Sequence, residues 1–331
     1  MVPIHDNRSK TDEAPVRAAL RAGERAPSVC NTRPWALTHS GSRIAVSVDV
    51  DRRLEVSDPK ARELVISCGA ALYNIRTALR AHGVLPKINI LPDPERPGLL
   101  AEIDTTHSVE PSNLDLLLYP SIGKRRTHRG PFTADVDDVR LVRALSTAAA
   151  TEGAALRLIT DKGLVQSLAG LVAAAEHVQR HERSHAEELA RWVRSPGSRR
   201  PDGIHAEDFP PEERVTDAEF PERDYGQNRI PGMLDVHGEV TGTIALLTTV
   251  ADTRSSHLAA GQALQRLLLT ATAEGVSAAF HTQPLEEPLL RAFITERLCE
   301  GAHAQMILRL GREHQRTPNG GGPISPLTAG S

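Results

Sequence analysis

Residues 124–129 read Lys124-Arg125-Arg126-Thr127-His128-Arg129. Guanidinium forks bind phosphate oxygens in pairs, and a hydroxyl beside them adds one more donor. Such a run suits a phosphate monoester; a solvated basic loop would have the same composition. A second group lies a hundred residues earlier, Ala26-Pro27-Ser28-Val29-Cys30-Asn31-Thr32-Arg33-Pro34-Trp35. Its two prolines stiffen the backbone, so Ser28 and Asn31 present a hydroxyl and an amide in fixed places. Those groups can meet the donors and acceptors on the edge of a polar heterocycle. An ordinary capped turn with Trp35 in the core would read the same way. A third group, His181-Glu182-Arg183-Ser184-His185, fits the zinc motif H-E-x-x-H, which puts two imidazoles on one helical face. Glu207 or Glu212 is the conceivable third ligand. The flanking sequence HVQRHERSHAEEL is polar throughout, which favours a solvent-facing helix with chance spacing over a buried zinc site.

The elements that must position these groups follow from periodicity and punctuation. Residues 14–24 make a short helix before the proline-bounded loop. Residues 43–50 alternate as a half-buried strand. Asp58-Pro59 opens an apolar helix over 60–82 that Gly83 stops; within it Tyr73 and Asn74 are packing and helix-terminus contacts. A short strand at 87–91, an apolar stretch at 116–121, a helix at 135–151 and a strand at 155–160 come next. A long helical pattern covers 164–193. Residues 195–232 are rich in Pro, Glu, Asp and Arg and poor in aliphatics, the composition of a lid or excursion. A strand at 242–250, a helix at 257–274 ended by Gly275, and a strand at 305–310 complete the pattern. The segment CGAALYNIRTALRAHGV from Cys68 resembles AGQALQRLLLTATAEGV from Ala260. The echo suggests two related halves.

The 331 residues carry a net charge of −3 and only 3% aromatics, so neither nucleic acid nor an anionic membrane is an expected partner. No apolar run is long enough to span a bilayer. The first residues lack a signal peptide's apolar core, which makes the cytoplasm the expected compartment. Cys30, Cys68 and Cys299 have no short spacing, which argues against a disulfide framework or a cysteine zinc site, and Cys30 reads as a small buried thiol.

The loop A-P-S-V-C-N-T-R-P-W resembles the A-P-S-x-x-N-x-Q-P-W signature of the nitroreductase superfamily, with Arg33 in place of Gln. Residues 125–132, R-R-T-H-R-G-P-F, are similar to that superfamily's R-R-S-x-R-x-F, with Thr127 for Ser. In ordinary nitroreductases the arginine motif comes first, and the FMN lies between two identical subunits. Here the order is reversed and each motif occurs once. This resembles the Acg family, in which a fused dimer keeps one flavin site, and the similarity runs over about residues 14–325.

The resemblance implies an α+β, nitroreductase-like fold. Two pseudo-symmetric halves, each a mostly antiparallel sheet flanked by helices, would be arranged as in a nitroreductase homodimer. Residues 1–12 would form a disordered arm, 13–120 the first half and 121–331 the second, with a lid at about 195–232. Arg125, Arg126, Thr127 and Arg129 would hold the FMN phosphate and ribityl chain; Pro27, Ser28 and Asn31 would contact the ring; Thr282 and Gln283 would lie at its N5–O4 edge. Gly320-Gly321-Gly322 stand where many relatives carry a basic residue near the phosphate. The implied activity is NAD(P)H-dependent reduction of a nitroaromatic, quinone or similar small molecule by ping-pong hydride transfer through flavin N5. No side-chain acid or base and no metal is needed for it, and the implied assembly is a monomer that resembles a homodimer. The alternative is an FMN store with little turnover, its flavin closed off by the lid.

Overall fold

The structure, a computed structural model, describes residues 13–130, 132–205, 220 and 241–313. Along the chain run α1 (Glu13–Gly23), β1 (Trp35–Ser40), β2 (Arg43–Val48), α2 (Arg62–Ala81), β3 (Val84–Ile90), β4 (Leu99–Ser108) and α3 (Asn113–Lys124). Then follow β5 (Ala134–Asp135), α4 (Val139–Thr151), β6 (Ala155–Ile159), α5 (Lys162–His181), α6 (Arg183–Ala190), β7 (Thr243–Thr249) and α7 (Arg254–Ala273). The last are β8 (Ser277–Phe280), α8 (Gln283–Glu286), α9 (Pro288–Leu298) and β9 (His303–Arg312). The expected arm at 1–12 and most of the expected lid, 206–219 and 221–232, lie outside the described residues. So does the tail with Gly320-Gly321-Gly322. No helix among the described residues is long and apolar enough to cross a membrane.

The fold is mixed α and β with two antiparallel sheets, and their topology repeats. The first sheet has the order β1-β2-β4-β3; in the second β6 pairs β7, β7 pairs β9 and β9 pairs β8. A helix precedes each first strand (α1, α4), and a long helix joins each second strand to the third (α2, α7). The second set carries α5 and α6 between β6 and β7, and α8 and α9 between β8 and β9. The boundary expected at 120/121 falls inside α3.

The two long helices cross where Gly69 meets Gly261, the residues at the same place in the two echoing segments. A Cβ on Gly261 would overlap the Ile66 carbonyl and come 2.8 Å from the Gly69 Cα; one on Gly69 would overlap the Leu258 carbonyl and come 3.0 Å from the Gly261 Cα. Each contact is the other's image under a twofold rotation. Beside the crossing Gln265 donates to Asn74 Oδ1 at 2.7 Å, and Asn74 donates at 2.9 Å to the carbonyl of Ala22 near the end of α1. Leu72, Ile75 and Leu79 of α2 pack against Ile44 and Ile103 of the first sheet; Ala263, Leu264 and Leu267 of α7 pack against Ala245 and Leu308 of the second.

Local chemistry explains where the elements begin and end. The Leu64 amide of α2 donates to Asp58 Oδ2 at 2.8 Å, so the cap comes from a side chain three residues before the left-handed Ala61. Gly83 and Gly275 leave α2 and α7 with φ of +79° and +70°. Strand β4 is an element that the sequence pattern does not give: it buries Ala101, Ile103 and Thr105 on one face, an alternation that Thr105 disguises. The single long helix expected over 164–193 is two helices, broken at Glu182, whose ψ is 114°.

Asp252 ties the start of α7 to α9 and β9. It accepts from Arg291 at 2.7 and 2.8 Å, from His257 at 2.9 Å and from Gln305 at 3.0 Å. Bonding to Arg291 first, and then to His257 and Gln305, holds its carboxyl well below the usual carboxylate range. A folded pKa below the unfolded value gives stability that is present above about pH 4 and lost as pH falls through the folded value. Asp252→Asn is expected to lower unfolding free energy by about 0.5–1.5 kcal/mol at neutral pH, its bonds being screened by solvent, with the deficit shrinking in strong acid; urea titrations at the two pH values measure it.

Candidate functional site

The proline-bounded loop forms one turn of 3-10 helix at Val29–Asn31. Cys30, Asn31 and Arg33 all have φ near +50°, a region that non-glycine residues seldom enter and that is concentrated at functional sites. Ser28 holds the turn: its Oγ accepts from the Arg33 amide at 2.9 Å and its carbonyl from the Asn31 amide at 3.0 Å. Pro27 and Ser28 are half-buried.

Residues 192–205 lie on this turn. Asn31 Nδ2 donates to the carbonyls of Gly203 at 2.9 Å and Pro201 at 3.2 Å, and its own carbonyl accepts from the Gly203 amide at 2.9 Å. Arg52 donates to the Thr32 carbonyl at 2.8 Å and to Asp202 at 3.0 Å, and the Asp202 carboxylate also binds Arg194 and Arg200. Cys30 is buried, as expected, with Leu54, Leu189 and Ile204 around it. Glu188 of α6 completes the attachment, accepting from the amides of Val56 and Ser57 and from the Ser57 hydroxyl at 2.7–2.9 Å.

The basic run begins where α3 ends. A Ser112–Asp115 capping box starts that helix, and Arg80 grips Asp115 with two bonds at 2.9 and 3.1 Å. Its direction is therefore fixed where Arg125 takes the C-cap position. Arg125 Nε and Nη1 are buried and have no hydrogen-bond partner among the described residues. Burial, reinforced by the charge of Arg126, pulls the Arg125 pKa down to about 10. Arg126 is exposed and folds back on the carbonyls of Gly123 and Arg125. Thr127 bridges to Ala278 of β8, and the His128 amide donates to the Ala278 carbonyl at 2.9 Å. His128 stacks on Phe132 at 4.4 Å, and Arg129 is half-buried.

Strand β8 leads from that bridge directly to Thr282 and Gln283, both buried. Thr282 Oγ1 donates to Glu286 at 3.3 Å, and Gln283 Nε2 donates to Glu176 of α5 at 3.3 Å. The 125–129 run thus meets β8 at Ala278, four residues before Thr282. The Ser28–Asn31 turn joins them through the covering helices: residues 192–205 follow α6, which continues from α5, which packs on α8. The hydrogen bonds of Asn31 go to this cover and not to the arginine run.

His181 and His185 are not on one continuous helix. His181 ends α5 exposed, with its Nδ1 on the His177 carbonyl at 2.7 Å, whereas His185 is buried in α6. The solvent-facing helix expected there is corrected by this burial: the helix breaks at Glu182 and turns His185 inward. Glu207 and Glu212 lie outside the described residues.

Sequence reasoning passed over Arg309 of β9. It is buried, donates to His281 Nε2 at 2.7 Å, and binds the carbonyls of Thr241 and Gly130 at 2.8 and 3.2 Å. A lone arginine inside the apolar run QMILRL was the available signal. Phe220, from the polar excursion, is buried with its ring 5.5 Å from that of His281.

No family model matches the chain. The Mycobacterium tuberculosis (strain H37Rv) protein named "Putative NAD(P)H nitroreductase Rv3131" is 32% identical over 311 residues, which is 93% of this chain and 88% of the relative. "Putative NAD(P)H nitroreductase acg" of the same strain is 26% identical over 301 residues, covering 89% and 88%. A crystal structure of a nitroreductase with bound FMN from Bacteroides fragilis covers 65% of this chain and 97% of its own at 13% identity; its TM-score of 0.37 is too low to carry a comparison of sites. On the first of these similarities, sustained over nearly the whole of both sequences, the chain belongs to the family of the mycobacterial NAD(P)H nitroreductases, within the nitroreductase superfamily.

Proposed function

We propose that the chain binds one FMN and uses it to pass hydride from NAD(P)H to an electron-poor small molecule such as a nitroaromatic or quinone. The observation that carries this is Arg125. A guanidinium with two of its nitrogens buried and unsatisfied is costly unless an anion meets it. A phosphate monoester supplies that anion, with acceptor oxygens left for Arg126, Arg129 and the Thr127 hydroxyl. The residues present therefore fit the phosphate end of FMN. Pro27, Ser28 and Asn31 would lie against the ring, with Thr282 and Gln283 at its opposite edge.

When bound, FMN supplies the hydride chemistry at N5. The protein's part is to hold, orient and cover. Arg125 fixes the phosphate, the strained turn sets one wall of the ring site, and residues 192–205 keep water from it. The repeated strand order and the symmetric crossing of α2 and α7 support a single polypeptide standing for a nitroreductase homodimer. Each motif's single occurrence supports one retained site.

A second function is favoured by one specific observation. The amide of Asn31 and the side chain of Arg52 are both engaged by residues 201–203, so the cover is latched to the turn. A latched cover suits a protein that stores FMN and shuts out nicotinamide. Titrating flavin-stripped protein with FMN, then supplying NADH or NADPH with a quinone, separates the cases. One-to-one binding with turnover is expected for the reductase, and one-to-one binding without turnover for the store. Absence of FMN binding overturns both.

A further inference from the structure

His185 has a place in the site that the proposed function has not used. It is 3% exposed, and neither ring nitrogen has a hydrogen-bond partner among the described residues. Buried polar groups are nearly always paired, so an orphaned imidazole calls for an explanation. Its Nε2 lies 3.8 Å from Oε2 of Glu286, a carboxylate that is itself 1% exposed. That distance is inside the reach of an ion pair and outside that of a hydrogen bond. The other oxygen of Glu286 accepts from the Thr282 hydroxyl at 3.3 Å, and Oε2 also accepts from Gln179 at 3.1 Å. A line of groups that can hold or move a proton therefore runs from His185 through Glu286 to Thr282, which follows β8.

We propose that His185 and Glu286 hold a proton for the reaction and exchange it with the flavin site through the Thr282 hydroxyl. This rests on the function proposed above, which sets Thr282 at the edge of the flavin. Bound FMN would supply the hydride that one quinone oxygen's reduction needs. The His185–Glu286 pair would take one proton from solvent and pass it through the Thr282 hydroxyl to the quinone's other oxygen, so hydride plus proton account for the two hydrogens of the quinol. Among the described residues, the other charged groups brought to this region include Glu287 after α8, Glu176 and Arg180 of α5, and Glu188 one turn along α6. Glu188 is already engaged by Ser57, and Arg180 lies 3.8 Å from Glu176. His185 acts through Glu286 and Thr282 and is a positioning residue in this scheme.

The test is the pH dependence of the midpoint potential of bound FMN, measured by spectroelectrochemistry on the FMN-loaded full chain, which needs no turnover. Around neutral pH the wild type is expected to take up one proton more per two electrons than His185→Gln. Glu286→Gln should show the same loss and serves if the first variant folds poorly. His181→Gln, one turn away and exposed, should keep the wild-type slope. Equal slopes in wild type, His185→Gln and Glu286→Gln would overturn the proton pair and leave FMN binding intact. Failure of the wild type to bind FMN would overturn the pair and the proposed function together.

Discussion

Replacing Arg125 with methionine is expected to weaken FMN binding by about 1.5–3 kcal/mol, the value of a hydrogen bond to a charged group, and to leave the flavin-free protein as stable as before or more so. The two effects have opposite signs for one reason. Without a ligand, the guanidinium carries the cost of desolvation with Nε and Nη1 unsatisfied. Methionine fills similar volume with no polar atom, and exchanging buried charges for apolar groups is often neutral or stabilising. With FMN bound, the charge becomes the main grip on the phosphate. Thermal unfolding with and without FMN measures both at once: the wild type should gain more from FMN than the variant, while the bare variant should melt no lower. Arg126→Met, on an exposed neighbour of identical chemistry, should have the smaller effect on affinity and none on bare stability. A bare Arg125→Met protein much less stable than wild type would mean that the guanidinium has a structural partner, and the phosphate assignment would fail.

The largest effect on folding is expected at the helix crossing. Gly261→Ala puts a methyl group onto the Ile66 carbonyl, and nothing there is the movable end of a side chain. Backbone must separate from backbone at the centre of the molecule. Overpacking of this kind costs about 1–3 kcal/mol where side chains can adjust, so a loss of at least about 3 kcal/mol is expected here. Gly69→Ala should match it, because its methyl meets the Leu258 carbonyl in the mirrored contact. Gly170→Ala is the control: it lies on the exposed side of α5 with nothing nearby, and should stabilise by about 0.5–1 kcal/mol through helix propensity. Chemical denaturation of the three variants gives the comparison. Near-equal midpoints for all three would deny the close approach of α2 and α7.

The parts of the fold that were legible were those with local causes. Gly83 and Gly275 end α2 and α7 because a left-handed residue costs glycine nothing, and the echo between the helices pointed to their related roles. The break at Glu182 was invisible because glutamate is a good helix former and neither glycine nor proline stands near it. Tertiary packing turns His185 inward there, against Glu286, a hundred residues away in sequence. Strand β4 was missed because Thr105 occupies an inward position where an aliphatic residue would have revealed the alternation.

The candidate site divides in the same way. The arginine run could be read as a phosphate cradle, but neighbouring identical residues could not be ranked: only the C-cap geometry of α3 takes Nε and Nη1 of Arg125 out of solvent and leaves Arg126 exposed. The turn at Ser28–Asn31 was visible from its prolines. A lid at about 195–232 was expected from composition, but its anchors were not, since Asn31 meets Gly203 and Arg52 meets Asp202 across more than a hundred residues. Arg309 stands out in its apolar run, but its partners, His281 and the carbonyls of Thr241 and Gly130, come from distant parts of the chain.

The central claim is that an arginine run from one part of the chain and a stiffened turn from another grip the same flavin. A crystal structure of the chain soaked with FMN measures this most directly. The phosphate should lie within hydrogen-bond distance of Arg125 Nε and Nη1, and the ring should lie against Pro27, Ser28 and Asn31. Flavin density with its phosphate remote from Arg125, or its ring away from that turn, would contradict the account.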